Sequence, residues 1–250
     1  MAKLFDFQLV FTQIPKLLEY LPVTMELAGA SMLAGVLLGL ILALIRIKKI
    51  RVLTPLAGFY ISLVRGTPIL VQLYIAYFGI PMFIKWINLK TGSDYIPANI
   101  PGFVYAVTAL AINQSAFDSE IIRAALQSVD RGQIEAANAI GMTYFQTLRR
   151  IILPEALTVA LPGLGNSFIG VIKGTSLAFT CAVVEITAKG QILAGRNYRF
   201  FEVYVSLAII YWVITIIIEQ LIKFFEKKTK LPAQVEMYVP EAEGVQEEAV

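Results

Sequence analysis

Five stretches of this 250-residue chain run apolar for about the 20 residues a helix needs to cross a hydrocarbon core. A segment of that length in lipid must satisfy its backbone internally, so helices are the expected spans. The first runs from Val23 to Ile45, uncharged apart from Glu26, and ends at Arg46, Lys48, Lys49 and Arg51. Four cations without an acid over six positions mark a cytoplasmic end. Residues 52–84 exceed one crossing and are interrupted by Arg65-Gly66-Thr67-Pro68, which predicts an interfacial helix over 54–64 and a span over 67–84. A polar connector from Lys85 to Pro101 follows, then a third crossing from Gly102 to Leu126 with Arg123 near its inner end. The loop 127–154 carries Arg131, Arg149 and Arg150 and belongs on the cytoplasmic side. Residues 155–187 contain Pro162, Gly163, Gly165, Gly170, Lys173 and Gly174, the pattern of a helix that breaks within the membrane. Lys189 to Glu202 connects outside, although its Lys189, Arg196 and Arg199 run against the positive-inside rule. Val203 to Phe225 then returns to Lys223, Lys227, Lys228 and Lys230. The expected fold is an all-α polytopic transmembrane bundle of about five spans, N-terminus outside and C-terminus cytoplasmic.

Composition agrees. Hydrophobic residues make up 57% and charged residues 16%, where soluble domains carry about a quarter charged. The net charge of +3 sits in short clusters beside apolar runs, where it orients spans, so nucleic acid is excluded as a partner. One cysteine, Cys181, and no histidine exclude an internal disulfide, a thiolate or zinc site and a His-dependent triad; no cofactor or metal is expected. Residues 1–22 lack the pattern of a cleaved signal and read as an extracytoplasmic segment ahead of the first span. Residues 23–228 form the transmembrane domain. Residues 229–250, with Glu236, Glu241, Glu243, Glu247 and Glu248 between Pro232 and Pro240 and the C-terminus, read as a disordered tail.

The loop carries the sharpest signal. Ala137, Gly141, Tyr144, Phe145 and Leu148 share one face of a helix at three- and four-residue spacing, so a short amphipathic helix is expected, with Pro154 starting the next helix. On physics alone such a helix either docks into a groove or lies on the membrane surface. Its sequence, Glu135-Ala136-Ala137, three residues, Gly141, nine residues, then Ile151-x-Leu153-Pro154, resembles the loop of permease subunits in binding-protein-dependent ABC importers. RGTPILVQL (65–73), EIIRAALQSV (120–129), LPGLGNSFI (161–169) and KGTSL (173–177) are similar to the polar amino-acid branch of that family.

The resemblance implies a permease in a bacterial inner membrane that works as a homo- or heterodimer. It implies that Glu135, Ala136, Ala137, Gly141, Leu153 and Pro154 couple to a separate ATPase, and that a soluble extracytoplasmic binding protein delivers an amino acid. The chain itself is then no enzyme. Many relatives have an acid where this chain has Gly174, which argues against arginine or lysine as cargo, and KGTSLAF looks like permeases for cystine.

Transporters hold cargo near the midplane, at breaks in helices. Lys173, Gly174, Thr175 and Ser176 sit at such a break, with Thr175 and Ser176 placed to cap a second half-helix whose N–H groups suit a carboxylate. Lys173 is an intramembrane cation, which either serves cargo or pairs with Glu185. Gln72, Asn113 and Gln114 are mid-span polar groups that either bind cargo or join helices, and Asn166 carries the same ambiguity. Two other classes compete. A membrane enzyme built on Lys173, Glu185 and Asp118 lacks a phosphate loop, a metal cluster and a nucleophile–base pair. A channel or ion-coupled carrier fits the buried charges and leaves the Glu-Ala-Ala loop without a purpose.

Overall fold

The computed structural model of the protein describes residues 4–96 and 99–229. The acidic tail expected beyond Thr229 lies outside the described residues. Helices run α1 (Phe7–Leu18), α2 (Leu21–Ile47), α3 (Leu53–Gly66), α4 (Ile69–Thr91), α5 (Gly102–Gln127), α6 (Arg131–Ala139), α7 (Tyr144–Cys181), α8 (Ile186–Asn197) and α9 (Phe200–Thr229). By length and composition α2, α4, α7 and α9 can cross a membrane. The remaining expected crossing is α5, whose 26 residues are long enough but hold Asn113, Gln114, Asp118, Glu120 and Arg123. Its polarity is tolerated because neighbours cover it: α5 packs on α2, α7, α3 and α4, and it buries Gln114, Ser115, Asp118 and Ser119.

Helix association in lipid gains little from hydrophobicity, since lipid tails are as apolar as leucine, and depends on close packing and interhelical hydrogen bonds. Both are visible where α2 meets α5. Ser31, Gly35, Gly39 and Ala43 recur every fourth residue on the buried face of α2. An added Cβ at Gly35 would lie 2.8 Å from the Gln114 Cβ, and one at Gly39 would lie 3.0 Å from the Ser119 nitrogen and 3.1 Å from the Ser115 oxygen. The two backbones therefore run in direct contact. From α3, the Tyr60 hydroxyl donates to the Ile112 carbonyl at 3.1 Å and pairs with the Ser115 hydroxyl at 2.8 Å. Ile61 and Val64 pack beside it on Ala116, so the helix expected to lie at the interface joins the bundle.

Prolines and glycines place the breaks. Thr67 is extended (φ −114°, ψ 140°) because it precedes Pro68, and this separates α3 from α4 as the sequence predicts. Each of α4 and α7 contains a π-helical turn, Ile75–Gly79 and Leu148–Ile152, two residues before Pro81 and Pro154. Proline has no N–H and its ring crowds the carbonyl four residues back, and the wider turn relieves both. Pro154 accordingly sits inside α7, which begins at Tyr144, and does not start a helix as expected. The α4 helix also runs to Thr91, past the predicted end at residue 84, and stops at Gly92 with φ 70°.

Two further boundaries differ from expectation. The α7 helix does not break at Lys173–Ser176 but tightens there into a 3-10 segment, Thr175–Cys181, and the chain turns only at Ala182 (φ 60°). The expected outer connector is largely helical, since Ile186–Asn197 forms α8 with Glu185 as N-cap, its carboxylate accepting from the Ala188 N–H at 2.8 Å. Before the first long helix, Asp6 caps α1 through the N–H groups of Gln8 and Leu9. Val10, Gln13 and Leu17 of α1 are buried, and the Ser206 hydroxyl of α9 donates to the Val10 carbonyl at 2.8 Å.

Candidate functional site

A cavity of about 440 Å³ opens where α5 meets α7, walled by Asn113, Gln114, Asn166, Ser167, Gly170 and Gly174. Two physical features make it. Gly163, Gly170 and Gly174 leave the α7 wall without side chains, and the polar residues of α5 face it across the gap. At its floor, Ser167 donates to Asp118 Oδ1 at 2.5 Å and Gln114 Nε2 donates to the same oxygen at 2.9 Å. Gln114 also contacts the Ser167 hydroxyl. Asp118 is fully buried, and its Oδ2 has no hydrogen-bond partner among the described residues. This network fixes both wall residues: each donates to Asp118 and the Ser167 oxygen also accepts from Gln114 Nε2, so the Gln114 carbonyl is the group left to accept.

The expected cargo residues divide. Asn113, Gln114 and Gly174 converge on the cavity. Gln72 instead ties the α3–α4 break, donating to the Val64 carbonyl at 2.8 Å and to Thr67 Oγ1 at 2.8 Å, while its Oε1 accepts from Asn113 Nδ2 at 3.1 Å. Thr175 is buried and donates to the Ile172 carbonyl at 2.7 Å, and Ser176 donates to the Lys173 carbonyl at 2.7 Å. Neither caps a half-helix, because the chain stays helical through them. Lys173 is exposed, outside the cavity wall, and among the described residues it has no ion-pair partner. Glu185, its expected partner, is buried and accepts from the Tyr211 hydroxyl at 3.1 Å. Asp118, Glu185 and Lys173 thus have separate environments and form no catalytic cluster.

The loop 127–154 folds as two helices around a turn. Asp130 caps α6 through the Gly132 N–H at 2.8 Å. The helix ends in a Schellman motif: Met142 N–H reaches the Ala137 carbonyl at 3.0 Å and Gly141 N–H the Asn138 carbonyl at 3.0 Å. Gly141 takes φ 79°, a left-handed value that glycine adopts without strain. Thr143 and Gln146 then form a capping box that starts α7. The single amphipathic helix expected across Gly141 is therefore two, and the shared face changes with it. Ala137 is buried within the chain, while Glu135, Ala136, Ile140, Tyr144 and Phe145 are exposed, and so is Leu153.

A second charged group stood out less in the sequence. Glu120 of α5 accepts from Arg46 of α2 and, at 3.0 and 2.7 Å, from the Nε and Nη2 of Arg123. It links the basic C-terminal end of α2 to the C-terminal part of α5. The glutamate is flanked by arginine three residues on, a local pairing the sequence does show; the partner from α2 is set by packing alone.

Comparison with known proteins settles the class. The model of the family described as binding-protein-dependent transport system inner membrane component matches residues 35–231. This chain belongs to that family. It is 43% identical over 227 residues to the probable amino-acid permease protein YxeN of Bacillus subtilis, covering 91% of this chain and 97% of that one. It is 41% identical to the L-cystine transport system permease protein TcyL of the same organism, over 92% of this chain and 94% of the relative. Its fold matches a crystal structure of an amino acid ABC transporter with histidines, at a TM-score of 0.74 and 37% identity over 90% of this chain and 99% of that one. The resemblance read from the Glu-Ala-Ala loop and its flanking motifs is thus correct: the protein is a polytopic inner-membrane permease of the binding-protein-dependent ABC-importer type, and a channel or carrier without an ATPase is not favoured.

Proposed function

We propose that the permease passes a polar amino acid with no net positive side-chain charge through the cavity between α5 and α7, as one half of a homo- or heterodimer. The observation that carries this reading is a largely apolar cavity into which Asn113, Gln114, Asn166 and Ser167 bring a small set of polar groups, the free Gln114 carbonyl among them an acceptor suited to an ammonium. Asn113 adds an amide to the same wall. Cystine is the favoured cargo, because a cystine permease is among the relatives and because Gly174 adds no carboxylate that would select a cationic side chain.

Energy comes from a separate ATPase docked on the α6–α7 turn, where Ile140, Tyr144 and Phe145 stand exposed next to Glu135, Ala136 and Gly141. Three large apolar groups in one exposed turn suit burial in a groove of a partner. Leu153 and Pro154, further along α7, transmit movement of that turn into the wall of the cavity. Residues 1–22, with α1, belong to the extracytoplasmic side, where a soluble binding protein delivers the cargo.

Uptake by the permease reconstituted with its ATPase and binding protein tests the reading. Labelled cystine should accumulate with ATP, and Gln114→Ala should reduce the rate about tenfold, in line with the loss of one buried hydrogen bond. Uptake of no amino acid by the complete assembly would sink it. An added Cβ at Gly174 meets only Leu110 Cδ2 at 3.7 Å, an ordinary contact, and the position lines the cavity, so a side chain can start there without a backbone clash. Gly174→Asp is expected to slow cystine uptake and to raise inhibition by arginine and lysine, read in competition assays.

A further inference from the structure

A second pocket, of about 510 Å³, lies toward the basic end of α2 and is lined by Arg46, Ser62, Arg65, Phe117 and Glu120. Phe117 lines this pocket and the cavity between α5 and α7 alike, so one ring separates the two spaces. The Arg65 guanidinium sits 5.2 Å from the centre of that ring. Charges in the pocket do not cancel. Both oxygens of Glu120 are taken, one by Arg46 and one by Arg123, whereas Arg65 has no carboxylate partner among the described residues. The pocket therefore presents net positive charge beside an aromatic wall.

Its position on α3 separates it from lipid-like surface. Gly58, Ser62, Arg65 and Gly66 share one side of the helix, whereas exposed Leu56, Phe59 and Leu63 point roughly a third of a turn away. A Cβ at Gly58 or Gly66 would meet nothing within 4 Å, so this polar side is open. An open, polar, cationic surface next to a cargo cavity favours water and a small anion over an acyl chain.

We propose that this pocket is a second station on the path, where Arg65, supported by Arg46, takes the carboxylate of an amino acid that has passed Phe117 from the first cavity. The proposal rests on the cargo reading above. In it, the first cavity holds the ammonium end on the Gln114 carbonyl, and the second holds the carboxylate end on guanidinium donors, which match carboxylate geometry.

Local charge can be measured without transport. In the permease–ATPase complex bearing Cys181→Ser, Ser62→Cys places a reporter thiol in the pocket; Gly58→Cys is a second reporter on the same side. Modification is timed with a sulfonate-bearing and an ammonium-bearing methanethiosulfonate. The anionic reagent should react about tenfold faster than the cationic one, and Arg65→Gln should bring the ratio close to one. Millimolar serine or alanine should slow the anionic reagent, and serinamide or alaninamide should not.

Equal rates for the two reagents, or a ratio unchanged by Arg65→Gln, overturn the proposal. So does protection by anionic phospholipid vesicles with none by the amino acids, which would assign the pocket to a lipid phosphate. Because labelling needs no ATP, normal uptake with no charge bias removes this station and leaves the transport reading intact. An ATP-driven complex that takes up no amino acid instead fails the transport reading itself.

Discussion

Gly141→Val is expected to release the ATPase from the permease, while Gly141→Asn retains it. The glycine holds φ 79° at the turn between α6 and α7, and an added Cβ there meets nothing within 4 Å. Space is therefore not the constraint; conformation is. Asparagine visits the left-handed region at modest cost, whereas a β-branched residue is strongly disfavoured there. A penalty of about 2 kcal/mol for valine shifts the turn and weakens docking about 30-fold. Co-purification of the ATPase with the membrane-inserted variants, quantified against the unchanged chain, checks this. If valine and asparagine behave alike, the glycine acts through close approach to the partner and the turn geometry is incidental to coupling.

Gly39→Leu is expected to unfold the bundle at its centre. Its Cβ would lie within 3.0–3.2 Å of the Ser119 nitrogen, the Ser115 oxygen and the Asp118 Cβ. Two of these are backbone atoms of α5, which cannot rotate away, so α2 and α5 must separate. Overpacking of this kind costs about 1–3 kcal/mol, and here it also disturbs the helix that carries Gln114 and Asp118. Gly29→Leu, on the same helix but with nothing within 4 Å, serves as the matched control. Thermal stability of the purified permease in detergent should fall for the first variant and stay unchanged for the second. Equal behaviour would remove the glycine contact as the basis of α2–α5 packing.

The small residues Ser31, Gly35, Gly39 and Ala43 on α2 were not singled out from the sequence, which marked the segment only as an apolar span, although small residues every fourth position let helix backbones approach in a contact face. That they face α5 was not readable either. The cavity was legible in part. Asn113, Gln114 and Gly174 were identifiable as polar or breaking positions within apolar runs, yet nothing in their spacing distinguished them from Gln72, which ties a helix break, or from Thr175, which bonds back within its own helix. Ser167 gave no signal of its own. It matters because packing sets it against Asp118, 49 positions earlier in the chain.

Local chemistry was legible wherever one residue type dictates one backbone behaviour. Apolar length determined which segments are long helices, Pro68 separated α3 from α4, and the Glu-Ala-Ala loop with its glycine named the family. Tertiary structure decided the rest. Whether Lys173 pairs with Glu185, whether the helix breaks or tightens at Gly174, and which face of the loop stays exposed all depend on neighbours brought together from distant positions. A sequence records the period and polarity of each helix, but the rotation of one helix against another is set by how their surfaces pack, and in lipid that packing alone determines which polar groups meet.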